Sequence, residues 1–305
     1  MISDKLKGVL TACVTPVDDQ GQIDWAATGD LMAYYTENGI RGVLVPSSTG
    51  ESFALTTSQR VELVTAAVRE GKGKLSILAN CSEHNLKDAI RDTQLMADAG
   101  ADIVVCMPPQ FLSYSQDELR DYFYAIADES ALPLVVYNHM TRLPNKVEEK
   151  LLHQLAAHEN IIGIKDTHND PNRMLRLYAT GVQKDFAILC GGDGVAGYAA
   201  LLEMEMLNAL SAVKPRLFVN LYEAGRAGDI EKVARYQLEV DKLMKLFSAL
   251  QGGVSSSTLF AQAIKAALSL KGLCGTNAVQ LGYPMRDEDM EKVRAIMDSV
   301  CEEIV

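Results

Sequence analysis

Short apolar runs, rich in β-branched residues, alternate with longer amphipathic stretches along most of this 305-residue chain. Continuous apolar strands separated by helices are typical of a parallel sheet that is buried on both faces. Eight such units, at spacings of roughly 20–35 residues, favour a closed (β/α)8 barrel over an open sheet. The predicted strands are Val9–Val14, Gly42–Val45, Leu75–Ala79, Ile103–Met107, Leu134–Tyr137, Ile161–Ile164, Phe186–Cys190 and Met206–Leu210.

The pattern changes after the eighth predicted strand, because only helical periodicity follows it. We therefore predict an α/β fold in which residues 1–225 form a (β/α)8 TIM-barrel catalytic domain and residues 226–305 form a C-terminal helical region packed on the barrel. The predicted helices are Trp25–Glu37, Gln59–Arg69, Leu86–Ala99, Gln116–Ser130, Val147–Ala157, Arg216–Gly225, Ile230–Leu250, Leu259–Leu270 and Asp287–Ile304.

Charge and composition argue against several classes of partner. The net charge is −11 at pH 7, and no Lys/Arg block offers the basic face that a nucleic-acid binder needs. No apolar run reaches membrane-spanning length and the N-terminus lacks the apolar core of a signal peptide, so we expect a cytoplasmic protein without a membrane partner. The six cysteines stand singly, without a C-x-x-C motif, and predict neither a zinc ribbon nor a thioredoxin-type site.

Reactive side chains of a (β/α)8 barrel lie at the C-terminal ends of its strands. Polar and ionisable residues follow the second, fifth, sixth and seventh predicted strands. In chain order they are Ser47-Ser48-Thr49-Gly50, Tyr137-Asn138, Arg142, Lys165-Asp166-Thr167 and Gly191-Gly192-Asp193.

Lys165 directly follows four apolar residues, Ile161-Ile162-Gly163-Ile164. In a barrel its amine would be buried at the mouth, and burial disfavours the charged form of an amine. A neutral amine attacks a ketone to form an imine, which when protonated serves as an electron sink for bond cleavage next to the carbonyl. The alternative interpretation is a lysine that turns to solvent or pairs with Asp166, as most strand-end lysines do.

Tyr137 and the turn over residues 47–50 fit the same chemistry. A phenol beside an imine can move a proton to or from a substrate oxygen. Successive backbone N–H groups in a hydroxyl-bearing turn can hold a carboxylate. Each feature also has a structural interpretation, namely a core tyrosine with a satisfied hydroxyl and an ordinary Ser/Thr turn.

Taken in order, these motifs resemble the dihydrodipicolinate synthase and N-acetylneuraminate lyase superfamily of class I aldolases, over nearly the whole chain. Gly8–Pro16 resembles the first strand of that family, and Ser47–Glu51 its G-[ST]-T-G-E turn. Tyr137–Met140 is similar to its Y-N-x-P strand end, and Gly163–Lys165 to its G-x-K strand end.

The resemblance implies a role for each matching position and no metal or organic cofactor. Lys165 would form the Schiff base, Tyr137 would relay protons with Ser48 nearby, and Thr49 would help to bind the carboxylate of the 2-oxo acid. Arg142 lies where some members carry an arginine for a distal carboxylate; the alternative is an exposed loop arginine. The predicted substrate-binding residues are Ser47, Thr49, Gly50, Phe111, Arg142, Thr167, Gly191, Asp193 and Asn208.

Departures from the family pattern bear on the substrate. Ser47 replaces a usual glycine, Ser48 a common threonine and Met140 a proline. The synthases carry paired tyrosines after the fourth strand, one of which reaches a neighbouring subunit's site, whereas Phe111 here has no proton to relay.

The ends of the sixth and seventh strands, in contrast, are similar to those of the sugar-acid branch of the family. Gly163–Thr167 resembles the strand end of 2-keto-3-deoxy sugar-acid aldolases and sialic acid lyases. Gly191 and Asp193 match a G-x-D pattern that contacts substrate hydroxyls in those enzymes. For Asp193, a helix N-cap is the alternative.

The sequence therefore predicts a Schiff-base lyase acting on pyruvate-type 2-oxo acids, as a 2-keto-3-deoxy sugar-acid aldolase or dehydratase. One alternative is a 4-hydroxy-tetrahydrodipicolinate (dihydrodipicolinate) synthase that condenses pyruvate with an aldehyde. A more remote alternative is a non-catalytic 2-oxo acid binding protein. By analogy with the family we also expect a homo-oligomer, either a dimer or a tetramer.

Two further classes have weaker support. Gly192–Gly197 fits G-x-G-x-x-G after a strand, as in dinucleotide-binding folds, but no acidic residue ends the next predicted strand to hold a ribose. The five histidines show neither H-x-H nor H-x-x-x-H spacing, which argues against a metal-dependent aldolase.

Overall fold

Eight parallel strands close into one barrel in which each strand pairs with its sequence neighbours. The structure is a computed structural model that describes residues 3–140, 143–250, 257–279 and 284–304. Pairing of β1 with β8, from Val9 opposite Met206 to Thr11 opposite Asn208, closes the ring. The predicted (β/α)8 TIM barrel is confirmed. Its strands are β1 (Val9–Ala12), β2 (Gly42–Val45), β3 (Ser76–Asn80), β4 (Ile103–Cys106), β5 (Leu134–His139), β6 (Ile161–Thr167), β7 (Ala187–Cys190) and β8 (Glu205–Asn208).

Helices alternate with these strands, and further helices follow β8. In the described ranges, no helix is both long enough and apolar enough to cross a membrane. The proposed division of the chain at residues 225 and 226 falls at the end of α8 and stays a prediction. The helices are α1 (Trp25–Glu37), α2 (Thr57–Gly71), α3 (Leu86–Asp98), α4 (Gln116–Glu129), α5 (Glu149–Leu155), α6 (Pro171–Thr180), α7 (Ala196–Leu201), α8 (Pro215–Arg226), α9 (Ile230–Leu243), α10 (Ser257–Ser269) and α11 (Asp287–Ser299).

Side chains of each strand alternate between the barrel interior and the surrounding helices. Leu10, Leu78, Leu189 and Leu207 belong to the interior cluster and are fully buried. They make the barrel a packed core rather than a pore. Interior-facing polar side chains at the C-terminal ends of the strands therefore lie above this core.

The sixth strand is longer than predicted. It extends through Thr167 because β5 extends to His139, and the two strands pair through Tyr137 opposite Lys165 and His139 opposite Thr167. Lys165 and Tyr137 therefore lie side by side within the sheet rather than in the loops beyond it.

The predicted bounds of the eighth strand are wrong by one to two residues, because β8 is Glu205–Asn208 instead of Met206–Leu210. Ala209 adopts a helical backbone conformation, with φ −86° and ψ −38°, and a 3-10 turn over Leu210–Ala212 follows it. The strand therefore stops at Asn208.

The predicted helix Ile230–Leu250 also ends early. The α-helix α9 stops at Leu243, and residues Met244–Ser248 form a 3-10 turn. A 3-10 turn winds more tightly than an α-helix, so its side chains project in different directions. Phe247 of this turn lines the cavity described below.

Candidate active site

A cavity of about 360 Å³ opens at the C-terminal ends of β2, β5, β6 and β7. The strand ends that the sequence singled out therefore meet at one place. Its lining residues are Ser48, Thr49, Tyr137, His139, Lys165, Thr167, Asn169, Gly191, Gly192, Asp193, Ala209, Phe247 and Phe260.

Lys165 and Tyr137 are neighbours on the adjoining strands β6 and β5, and both project into this cavity. Each is only 4 % exposed. The Lys165 Nζ lies 4.2 Å from the centroid of the Tyr137 ring. Among the residues that the structure describes, no carboxylate forms an ion pair with Lys165. The amine is thus buried next to a phenol and is not held by a counter-charge.

Asp166 does not take part in this arrangement. Its carboxylate accepts hydrogen bonds from Arg173 Nε at 2.7 Å and from Asn138 Nδ2 at 3.2 Å. Successive residues of a strand point to opposite faces of the sheet, so Asp166 faces the helices while Lys165 faces the interior. Both structural alternatives for Lys165, solvent exposure and pairing with Asp166, are wrong.

Asn138, the second residue of the Tyr-Asn motif, has a structural role. Its side chain accepts a hydrogen bond from the Val147 N–H at 3.0 Å and donates one to the Val147 carbonyl at 3.3 Å. This binding of the Val147 backbone explains why α5 starts at Glu149 and not at the predicted Val147. It also fixes the chain beside Tyr137.

The turn over residues 47–50 divides into two kinds of residue. Ser48 and Thr49 line the cavity, whereas Ser47 and Gly50 do not. The Ser47 hydroxyl donates to the Cys13 carbonyl at 2.8 Å and accepts from the Gly50 N–H at 2.9 Å. A Cβ atom on Gly50 would lie 2.6 Å from the Cys13 carbonyl oxygen, so only glycine fits there. Ser47 and Gly50 shape the turn, which leaves Ser48 and Thr49 as the residues that face a ligand.

Gly191 and Thr167 lie next to each other in the cavity lining, beside Lys165. A Cβ atom on Gly191 would overlap the Thr167 hydroxyl and would lie 3.3 Å from Lys165 Cε. The Thr167 Oγ1 is buried and has no hydrogen-bond partner in the described part of the chain. The absence of a side chain at Gly191 therefore leaves room for this hydroxyl beside the lysine.

Asp193 is buried beside Gly191 and is not a helix N-cap, because the N-cap residues of the 3-10 turn and of α7 are Gly192 and Val195. Its Oδ1 accepts a hydrogen bond from the Leu210 N–H at 3.2 Å. Burial raises the pKa of the Asp193 carboxyl to about 7, while the Leu210 N–H and the charge of Lys165 act to lower it. This carboxyl can therefore either donate or accept a hydrogen bond near neutral pH.

Three predicted site residues lie elsewhere. Phe111 is 88 % exposed on a loop that Asn145 holds through the Pro109 and Leu112 carbonyls. Asn208 follows the interior residue Leu207 and so points away from the interior, and it does not line the cavity. The prediction that Phe111 and Asn208 contact substrate within one chain is therefore not supported. Arg142 lies outside the described residues.

The sequence prediction missed several cavity residues. His139 lies two residues beyond Tyr137 on β5, so strand alternation offered a signal for it. Asn169 lies two residues past the end of β6, where that alternation no longer applies. Phe247 and Phe260 come from the C-terminal helical region, with ring centroids 4.5 Å apart. No local pattern places them near the barrel mouth.

The two rival classes gain no support from the structure. Gly192–Gly197 forms a 3-10 turn and the start of the short helix α7 in a closed barrel, not the first turn of an open doubly wound sheet. In the described ranges, no cluster of three or more His, Cys, Asp or Glu side chains could hold a metal ion.

Comparison with known proteins matches this chain to one family. The model of the dihydrodipicolinate synthetase family matches residues 5–300. The 4-hydroxy-tetrahydrodipicolinate synthase of Pseudomonas putida is 30% identical over 246 residues, which cover 80% of this chain and 83% of that protein. The synthase of Methanosphaerula palustris is 30% identical over 295 residues, which cover 96% and 97% of the two chains.

Solved structures show the same architecture. A prophage protein of the dihydrodipicolinic acid synthase family from E. coli K12, solved in complex with pyruvate, aligns with a TM-score of 0.88 and 26% identity over 96% of this chain and 97% of that one. The dihydrodipicolinate synthase of Bacteroides thetaiotaomicron aligns with a TM-score of 0.88 and 27% identity over 97% and 99% of the two chains.

Proposed function

Since this chain belongs to the dihydrodipicolinate synthetase family, whose members are class I Schiff-base lyases, we propose that it forms an imine between Lys165 and a pyruvate-type 2-oxo acid. One observation carries the proposal. The Lys165 amine is buried at the barrel mouth, 4.2 Å from the centre of the Tyr137 ring and without an ion-pair partner in the described ranges. An amine in this setting can reach a carbonyl carbon, and the phenol beside it can exchange protons with the substrate.

The reaction would proceed as follows. Lys165 Nζ attacks the C2 carbonyl carbon, and loss of water gives an iminium ion. Tyr137 then takes the proton from the C4 hydroxyl, the C3–C4 bond breaks, and its electron pair moves into the iminium to give an enamine and an aldehyde. Protonation of the enamine at C3 and hydrolysis of the imine release pyruvate and restore the lysine. Condensation is the same sequence in reverse.

Ser48 and Thr49 are proposed to bind the C1 carboxylate. They line the same cavity as Lys165, and Ser47 and Gly50 fix the turn that carries them. Hydroxyl and backbone N–H donors in such a turn are suited to a carboxylate. Ser48 lines the same cavity as Tyr137 and is proposed to take part in proton transfer with it.

The finer proposal is that the substrate is a 2-keto-3-deoxy sugar acid, which is cleaved or dehydrated. The cavity presents several hydrogen-bonding groups beyond the lysine. Thr167 offers a buried hydroxyl without a partner in the described part of the chain, and Asp193 a carboxyl with a pKa of about 7. His139 and Asn169 line the same cavity. A wall with this many polar groups suits a substrate with several hydroxyls.

A second candidate is synthesis of 4-hydroxy-tetrahydrodipicolinate from pyruvate and an aldehyde. The names of the relatives at 30% identity favour it. The residue at position 111 is an argument against it, because a phenylalanine cannot relay a proton between hydroxyls.

Borohydride reduction followed by mass spectrometry tests the proposal. With pyruvate, we expect the wild-type protein to gain the mass of one reduced adduct on the Lys165 peptide, and Lys165→Ala to gain none. Lys184→Ala, which removes an exposed lysine, serves as the matched control and should be labelled like the wild type. Labelling that persists in Lys165→Ala would rule out the assignment. Pyruvate release from 2-keto-3-deoxy sugar acids, compared with pyruvate consumption with added aldehydes, separates the two candidates.

A further inference from the structure

A second buried lysine lies close to the carboxylate-binding turn. Lys265, in α10, is 0 % exposed. Its ammonium donates to Glu51 Oε2 at 2.7 Å and to the Ala278 carbonyl oxygen at 2.8 Å. The reaction described above makes no use of this lysine, although a buried ion pair of this kind needs a close geometric fit.

Glu51 is joined directly to the turn that faces the ligand. It follows Gly50 and has a left-handed backbone conformation, with φ 59° and ψ 36°. Its N–H donates to the Ser48 carbonyl at 3.2 Å, and its own carbonyl accepts from the Ala54 N–H at 2.8 Å. A shift of the Glu51 backbone would therefore move Ser48 as well.

Contacts from several parts of the fold hold this turn in place. From the β1 side, the Thr15 hydroxyl donates to the Gly50 carbonyl at 2.7 Å. From β3, the Asn80 amide donates to the Ser52 hydroxyl at 3.1 Å. From the C-terminal helices, Lys265 holds the Glu51 side chain. The first two contacts join neutral groups, whereas Lys265 brings a positive charge to the Glu51 carboxylate.

We propose that Lys265 is a positioning residue for recognition of the 2-oxo acid carboxylate, an inference that rests on the proposed function. By holding Glu51, its ammonium fixes the Ser48 and Thr49 donors at the barrel mouth. Helix α10 also contributes Phe260 to the cavity. The ion pair thus joins two walls of the cavity that are distant in sequence, and pyruvate affinity depends on it.

Two variants separate this role from a contribution to folding alone. Lys265→Met takes the ammonium away from the half-buried Glu51 carboxylate, which threatens the fold itself. In the double variant Glu51→Gln/Lys265→Met both charges are removed, so the fold is expected to be retained. Lys271→Met is the matched control, because Lys271 pairs with Glu302 at 3.6 Å and makes no contact with the turn.

The measurement is the pyruvate concentration that gives half-maximal borohydride trapping, together with the rate at saturation and the melting temperature. For the double variant we expect a half-maximal concentration roughly tenfold above that of the wild type, equivalent to about 1.4 kcal/mol of binding free energy, with a near wild-type saturating rate and melting temperature. Lys271→Met should match the wild type in pyruvate dependence.

The possible results are distinct. A double variant that folds and shows wild-type pyruvate dependence would overturn the inference, since Lys265 would then only stabilise the fold. The same conclusion follows if Lys271→Met weakens pyruvate binding as much as the double variant does. If the wild-type protein is not trapped at Lys165 at all, the proposed function is wrong and the positioning role falls with it.

Discussion

Two buried lysines of this protein have opposite surroundings. Lys265 is enclosed by α10 and the turn at the barrel mouth, where it donates to a carboxylate and to a carbonyl. Lys165 projects into the cavity, where it lies over the Tyr137 ring and forms no ion pair with any described residue. Both are almost inaccessible to solvent.

The difference distinguishes a structural lysine from a reactive one. An ammonium that donates to a fixed carboxylate and a carbonyl is held in one geometry, and its nitrogen cannot approach a substrate. A buried amine without a counter-charge destabilises the fold and is retained only where its chemistry is needed. Burial is common to both lysines and does not separate them, whereas their partners do, and under the proposed function Lys165 is the nucleophile.

Replacing each lysine by methionine tests this comparison most directly. Lys265→Met removes one partner of a buried ion pair and should lower the free energy of unfolding by about 3–5 kcal/mol. Lys165→Met replaces a buried amine with an apolar side chain of similar size. This variant should lower the free energy of unfolding by less than about 1 kcal/mol, or increase it. Urea unfolding of both variants gives these values. Equal losses in the two variants would contradict the distinction.

Removal of the phenol beside Lys165 should affect turnover more than imine formation. Tyr137→Phe keeps the ring that contacts the amine and deletes only the hydroxyl, so we expect kcat to fall by about 10²-fold or more while borohydride trapping persists. Tyr124→Phe is the control, since its hydroxyl donates to the Gln154 carbonyl away from the cavity. Wild-type turnover in Tyr137→Phe would exclude the proton-relay role.

Each of the two lysines has a carboxyl group nearby. Glu51 forms an ion pair with Lys265, whereas Asp193 shares the cavity with Lys165 and forms no ion pair with it. Burial raises the Asp193 pKa to about 7, so between about pH 4 and pH 7 the folded state keeps a proton that the unfolded state has lost. The contribution of this bound proton to the free energy of unfolding is fully present below about pH 4 and is lost as the pH rises through about 7.

Asparagine at position 193 does not titrate, so the variant should gain stability relative to the wild type as the pH rises. Between pH 4.5 and pH 8 we expect the free energy of unfolding of Asp193→Asn to rise by about 2 kcal/mol relative to that of the wild type. Each pKa unit corresponds to about 1.4 kcal/mol, and relaxation around the site reduces the full effect of the shift. Urea unfolding at the two pH values measures it. A stability difference that is independent of pH would show that the folded carboxyl titrates normally.

The sequence alone determined the barrel and its reactive edge. The alternation of apolar runs with amphipathic stretches is a local property, and it survives in the structure as β2 at Gly42–Val45 and α1 at Trp25–Glu37, with the predicted bounds. Lys165, Tyr137 and the turn at residues 47–50 were each visible as polar residues next to a buried strand. The rule that strand ends meet at one face of a barrel then brought them together.

Only the tertiary structure decided which of these side chains share the cavity. Asn208 is the last residue of β8 and Lys165 lies near the end of β6, yet Asn208 points the other way, because the face that a side chain occupies depends on strand register. Phe260 and the Lys265–Glu51 pair join segments far apart in sequence. Local periodicity records how a segment folds, whereas contacts between distant segments depend on how all the segments pack, and no stretch of sequence contains that information.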